Sequence, residues 1–282
     1  YDGMLDERTS TGVPAYRVAI KTPKADVDGS NTDNKKDLFD EAALMAQFEH
    51  RNIIALIGVV SRNQQCKVVL QYCDKGSLQS LLREDKLNRG ESVLPESVAL
   101  GIAAEIAAGM AYLESKRFVH RDLAVRNILV GADNTCLVAD FGLSRALRQG
   151  SDYYKVREGV AMPIRWSAPE VVDGARYTSA SDVWSFFVLM WEVWSRAQVP
   201  FGVKSGILVV MTLQDVNEGL LEPDDILDRP THVQEQLYRR LQAQCFVREP
   251  TKRKNFAQLC TWIEGRQQQQ QQQQAVSQHA LD

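Results

Sequence analysis

The sequence predicts an α+β fold of two lobes, a small β-rich lobe followed by a larger helical one. Three observations carry this expectation. Short runs of β-branched and apolar residues dominate positions 16–73 and are interrupted by a single helical pattern. Beyond position 73 the apolar spacing becomes mostly helical. Within that second part Val183, Trp184, Phe186, Phe187, Val188, Leu189, Met190, Trp191, Val193 and Trp194 make one helix apolar on every side, which in a soluble chain belongs at the centre of a lobe.

Taken in order, Arg17-Val18-Ala19-Ile20-Lys21 reads as a strand, and Asp28-Gly29-Ser30-Asn31 as a loop. A helix follows over about 34–48, with Leu38, Ala42 and Met45 on one face. Two β-rich runs, 53–60 and 67–72, are joined by Ser61-Arg62-Asn63-Gln64-Gln65 as a hairpin, and Asp74-Lys75-Gly76 breaks the pattern. Helices are then expected at 77–83, 97–114, 179–195, 207–217, 233–245 and 256–264. Ile128-Leu129-Val130 and Cys136-Leu137-Val138-Ala139 flank a turn and read as a second hairpin. Residues 1–266 form the domain, divided near 73 into an N-lobe (1–73) and a C-lobe (74–266). The glutamine tract opening 267–282 is expected to be a disordered tail, because nothing apolar there offsets the cost of ordering.

Composition narrows the function classes. With 44% hydrophobic and 24% charged residues over 282 positions, the chain is neither disordered throughout nor a disulfide miniprotein. A formal charge of −3 leaves no basic footprint, which argues against nucleic acid as the main partner. Cys66, Cys73, Cys136, Cys245 and Cys260 are scattered without a C-x-x-C pair, so reduced thiols are expected. The most membrane-like stretches, 98–113 and 183–194, contain Glu105 and Glu192, and the second is too short to span.

Two constellations carry chemistry. Glu41 falls three residues after Leu38 and four before Met45, on the apolar stripe of its helix, where a carboxylate is costly unless a cation meets it. Lys21 is a candidate partner. The pattern also permits a boundary Glu41 that reaches solvent and a Lys21 that merely ends a strand. Asn127 and Asp140 bracket the second hairpin, and antiparallel pairing brings such ends together. Two side-chain oxygens there, with Asp122 nearby, suit Mg²⁺, which takes few protein ligands and completes its shell with phosphate and water.

Motif order then becomes informative. His120-Arg121-Asp122-Leu123 followed by Asn127 has a chance probability on the order of 10⁻⁴ in such a chain. It is preceded by Val18-Ala19-Ile20-Lys21 and followed by Asp140-Phe141-Gly142 and Ala168-Pro169-Glu170. In this set the chain resembles the protein kinases over positions 1 to about 262. Ala124-Val125-Arg126-Asn127 and Pro163-Ile164-Arg165-Trp166 are similar to the tyrosine-specific branch, with Ala124 where serine/threonine kinases usually carry Lys. Stretches such as His50-Arg51-Asn52-Ile53-Ile54 and Thr178-Ser179-Ala180-Ser181-Asp182-Val183-Trp184-Ser185 look closest to ephrin-receptor kinases.

The resemblance implies a bilobal kinase fold and a set of roles. Lys21, positioned by Glu41, would hold the α- and β-phosphates of ATP. Asp122 would accept the proton of a tyrosine hydroxyl, Arg126 would face the substrate, and Asn127 and Asp140 would hold Mg²⁺. Leu70 would be the gatekeeper beside a Gln71-Tyr72-Cys73 hinge, with Ala19 and Leu129 also at the adenine. Asp182 would hold the backbone of the His-Arg-Asp loop, and Glu170 and Arg253 would form a structural ion pair. Tyr153 and Tyr154 occupy the activating phosphosite region, where a phosphate could pair with Arg121. Autophosphorylation in trans would then involve a dimer. The implied partners are ATP and tyrosine-bearing proteins, and the implied location is the cytoplasmic side, as the intracellular domain of a plasma-membrane receptor or otherwise in the cytoplasm, with membrane attachment only through flanking regions.

Several positions depart from the pattern. No G-x-G-x-x-G precedes Val18-Ala19-Ile20-Lys21, so the expectation is a glycine-rich loop encoded upstream of residue 1 and weaker ATP binding by this chain than by a longer parent. Phe187 stands where the family usually has Gly, Phe246 where Trp follows Cys245, and Lys254 where Pro follows Arg253. The large Phe187 is expected to cost stability unless its neighbours shrink. A catalytically silent kinase-fold binding module is the alternative reading, though it would usually have lost Lys21, Asp122 or Asp140.

Overall fold

The computed structural model describes residues 1–7, 12–23, 32–62, 66–90, 94–147, 153–155, 162–174 and 176–279. The loop expected at 28–31 lies outside them, as does most of the connection at 61–65.

The N-lobe is an antiparallel sheet of β1 (Asp2–Glu7), β2 (Val13–Lys21), β3 (Leu56–Val60) and β4 (Lys67–Gln71), in the order β1-β2-β4-β3. The helix α1 (Thr32–Met45) lies against it. Its apolar stripe is divided between two cores: Leu38 and Ala42 pack with Cys66 and Val68, while Met45 joins Phe48 in the main core. Leu70 borders both clusters, so a single position on β4 senses each lobe.

The C-lobe begins with α2 (Leu78–Arg89) and α3 (Glu96–Ser115). Short strands follow: β5 (Phe118–Val119), β6 (Ile128–Val130), β7 (Cys136–Val138), β8 (Arg145–Ala146) and β9 (Tyr154–Lys155). Next come α4 (Pro169–Gly174), β10 (Arg176–Tyr177) and α5 (Ser179–Trp194). The lobe closes with α6 (Gly206–Glu218), α7 (Glu235–Cys245) and α8 (Phe256–His279). The apolar-all-round segment is the centre of the lobe as expected, with Ser181 through Trp194 buried. A reciprocal cap starts α5: Thr178 Oγ1 accepts the Ser181 N–H, and Ser181 Oγ accepts the Thr178 N–H. By length and composition α3 could cross a bilayer, but here its buried face belongs to the main core and Glu105 accepts the Cys136 N–H at 2.8 Å.

Two findings revise the sequence reading. Helix α8 does not end near 264 but runs through the glutamine tract to His279, in place of the expected disordered tail. Glutamine is a straight-chain residue with good helix propensity, and the packed Phe256, Leu259 and Ile263 meet the nucleation cost, so the tract needs only to propagate an existing helix. The second concerns Phe187. It is fully buried, with its ring 4.7 Å from Phe246, 5.3 Å from Tyr238 and 6.4 Å from Trp194. Two of the departures from the family pattern therefore meet in space: a larger residue at 187 faces a smaller one at 246.

Candidate active site

Glu41 is buried, and both of its oxygens lie 2.7 Å from Lys21 Nζ. Of the two readings open to the sequence, the structure adopts the pair. Lys21 ends β2 and also reaches Asp140 Oδ1 at 3.1 Å, so one ammonium joins a strand, a helix and the residue after β7. Burial works against the Lys21 charge, but the Asp140 and Glu41 carboxylates overcome it and raise the Lys21 pKa. Burial likewise disfavours the Asp140 charge, while Lys21 holds that carboxyl below its ordinary value.

The β6–β7 ladder pairs Ile128 with Val138, and the Ala139 N–H donates to Asn127 O at 2.9 Å. Asn127 and Asp140 therefore stand at the same open end of the hairpin. Asn127 Nδ2 donates to Asp122 O and to Asp122 Oδ2, both at 2.8 Å, which leaves Asn127 Oδ1 as an acceptor on the other side of the amide. The other Asp122 oxygen is paired with Arg126, whose guanidinium lies 4.1 Å over the Trp166 ring. Among the described residues no three His, Cys, Asp or Glu side chains gather as a metal cluster, so a cation at Asn127 and Asp140 would take few protein oxygens. That donor set fits Mg²⁺ shared with phosphates.

The loop bearing Asp122 is held from beneath. Asp182 accepts the His120 N–H at 2.7 Å and the Arg121 N–H at 2.9 Å. Arg121 has φ of +72°, a region costly for a side chain with a Cβ, and these two bonds offset the strain. Burial pushes the Asp182 carboxyl up to about 7 against those bonds. Glu170 and Arg253 form a bidentate pair at 2.7 and 2.9 Å.

Ala19 pairs with Leu70 and Val18 with Gln71 across the β2–β4 ladder. Arg17 covers the outer side of Tyr72, 3.9 Å over its ring, and bonds Asp2 at 2.6 Å. Burial pushes the Cys73 thiol up to about 11. The bridge Ser77–Leu129 and the bond from Val130 N to Gly76 O tie Leu129 to the chain leaving Cys73. A cavity of about 830 Å³ lies elsewhere, in the C-lobe between the start of α3 and the end of α5, and none of the predicted residues lines it.

Tyr153 is exposed, with Arg176 5.3 Å over its ring. Tyr154 is half-buried in β9, which pairs with β10, and Arg121 is wedged between the Tyr154 and Tyr177 rings at 4.7 and 4.5 Å. Arg121 Nη1 donates to Leu143 O at 2.7 Å, while its buried Nε has no hydrogen-bond partner among the described residues.

Sequence reasoning missed the roles of Glu192 and of Trp166. Glu192 Oε2 accepts the Trp166 indole N–H at 2.8 Å and the Val125 N–H at 3.1 Å. The signal was present in the lone carboxylate of an otherwise apolar helix segment, the same argument that singled out Glu41.

A family model described as "Protein tyrosine and serine/threonine kinase" matches residues 1–263. Among curated proteins, the chain is 39% identical over 249 residues to "Ephrin type-B receptor 3" of Xenopus laevis, covering 88% of this chain and 24% of that protein. It is 37% identical over 249 residues to "Megakaryocyte-associated tyrosine-protein kinase" of Rattus norvegicus, covering 86% of this chain and 47% of that protein. The chain thus spans from about a quarter to about half of the length of these relatives. Motif order, the Lys21–Glu41–Asp140 geometry and the match over 1–263 agree: the chain belongs to the protein tyrosine and serine/threonine kinase family.

Proposed function

We propose that this domain transfers the γ-phosphate of ATP to tyrosine hydroxyls of proteins. The observation that carries this reading is the convergence of Lys21, Glu41 and Asp140 on one ammonium, beside a hairpin end where Asn127 adjoins Asp122. In it, Lys21 is fixed by Glu41 to hold the α- and β-phosphates, and Asn127 Oδ1 and the Asp140 carboxylate hold magnesium. Bound Mg²⁺ supplies neutralisation of charge on the β- and γ-phosphates. Asp122 orients the substrate hydroxyl and takes its proton, with Arg126 and Asn127 holding the carboxylate in place. Leu70 and the Gln71-Tyr72-Cys73 segment, with Ala19 and Leu129, receive the adenine.

Tyrosine rather than serine specificity is supported by Ala124 and by the printed name of one relative, a tyrosine-protein kinase. Autophosphorylation between two copies at Tyr153 and Tyr154 is supported by Arg121, whose guanidinium lies 4.7 Å from the Tyr154 ring, close enough to meet a phosphate there. A cytoplasmic-facing position in a receptor rests on likeness to ephrin receptors alone. The test is incubation with radiolabelled ATP, Mg²⁺ and either a Glu/Tyr copolymer or a serine-bearing peptide. Label on the copolymer alone is the expected result. Label on serine would refute the specificity, and no label on either would favour a silent binding module.

A further inference from the structure

We propose that Glu192 is a positioning residue for Asp122, acting through the Val125 amide and the Trp166 indole. The inference rests on the reading of Asp122 as the residue that takes the substrate proton.

Glu192 is 1% exposed, and a carboxylate so buried is costly unless donors meet it. One oxygen, Oε2, meets two donors from separate segments of chain. The first is the Val125 N–H, which opens the 3₁₀ turn Val125–Asn127. The next two residues of that turn, Arg126 and Asn127, are those that hold the two Asp122 oxygens. The second donor is the Trp166 indole, whose ring is the platform for the Arg126 guanidinium. Helix α5 grips Trp166 a second time, because Ser185 Oγ donates to Trp166 O at 2.7 Å. Glu192 thus fixes both the turn and the platform under it.

The arrangement complements Asp182. That residue holds the His120 and Arg121 amides, before Asp122 in sequence, while Glu192 holds the Val125 amide after it. The two carboxylates are separated on α5 by a helical rise of about 15 Å. One rigid buried helix therefore clamps the catalytic loop on both sides of Asp122. Removing the second clamp frees Arg126 and Asn127 to shift, and misplacement by about 1 Å can cost on the order of 100-fold in rate.

Because a single oxygen accepts both bonds, an amide oxygen can do the same. Glu192→Gln is the conservative rescue, and Glu192→Met removes the acceptor at similar volume. In single-turnover transfer by the full chain at saturating ATP and Mg²⁺, Glu192→Gln should stay within about threefold of wild type, whereas Glu192→Met should fall about 10- to 50-fold with KM for ATP within about twofold. Trp166→Phe keeps the ring and removes the N–H; it should cost about three- to tenfold alone and less than about twofold on top of Glu192→Met. Amide hydrogen exchange gives a readout free of activity. In Glu192→Met the Val125 to Asn127 amides should exchange at least about tenfold faster, with His120 and Arg121 unchanged.

A Glu192→Gln variant as impaired as Glu192→Met overturns the acceptor role. So does Glu192→Met with unchanged transfer or unchanged local exchange, and so does additivity with Trp166→Phe. If the wild-type chain transfers no phosphate, the kinase reading fails and the exchange comparison still decides the clamp. If Glu192→Met does not fold, Trp166→Phe decides it: unaltered transfer and exchange in that variant overturn the proposal.

Discussion

Phe187→Gly and Phe246→Trp would restore the residues that the family resemblance expects at these positions, and together they test whether the two departures compensate each other. Phe187 is fully buried against Phe246, with ring centroids 4.7 Å apart. Truncating a buried Phe costs about 3–5 kcal/mol, and glycine inside a helix adds about 1 kcal/mol, so Phe187→Gly alone should lose about 4–6 kcal/mol. Phe246 is already stacked on Trp184 at 3.8 Å, so Phe246→Trp alone overpacks the site by about 1–3 kcal/mol. If the larger indole enters the space that the Phe187 ring leaves, the double variant should be at least about 2 kcal/mol more stable than the sum of the singles. Urea unfolding followed by far-UV circular dichroism measures all four corners of the cycle. Additivity within about 0.5 kcal/mol would show that the two positions do not compensate each other.

Glu170→Ala strips the bidentate partner from Arg253, whose side chain is 0% exposed, while the carbonyls of Val247, Ala180 and Arg248 remain. Those remaining acceptors place the loss at about 2–4 kcal/mol, and an unchanged denaturation midpoint would contradict it. Burial raises the Glu192 carboxyl from 4.5 to about 7, even with Arg126 and Arg83 favouring its charged form. A raised folded-state value means the contribution is full below the unfolded value and is lost as pH rises through about 7. Relative to Glu192→Gln, wild type should therefore lose up to about 3 kcal/mol between pH 4 and pH 8, and parallel stability profiles would count against this. Tyr153 is 44% exposed whereas Tyr154 is packed against Arg121, so time-resolved mass spectrometry with ATP should find Tyr153 modified first; initial modification at Tyr154 would reverse the order.

Much of the site was legible because its logic is local. A carboxylate at Glu41 on the stripe of Leu38, Ala42 and Met45 is a helical-spacing argument, and the structure meets it with Lys21. The β6–β7 hairpin was legible from two apolar runs around a turn, and with it the proximity of Asn127 to Asp140. The β5–β8 and β9–β10 ladders were not, because each has only two pairs and two residues establish no alternation. The glutamine helix was misread by weighing apolar content alone, when an upstream packed helix removes the nucleation cost. Trp166, Glu192 and Val125 come together only through tertiary packing, so their link to Asp122 is invisible to spacing.

In the proposed mechanism Asp122 carries the transfer in a site built on Lys21, Asn127 and Asp140. Its most direct test is the rate of phosphate transfer to a Glu/Tyr copolymer by wild type and by Asp122→Asn, which preserves shape but removes the proton acceptor. Wild type should show measurable transfer and the variant a loss of at least about 100-fold, with nucleotide affinity little changed. Equal rates in the two proteins would contradict it.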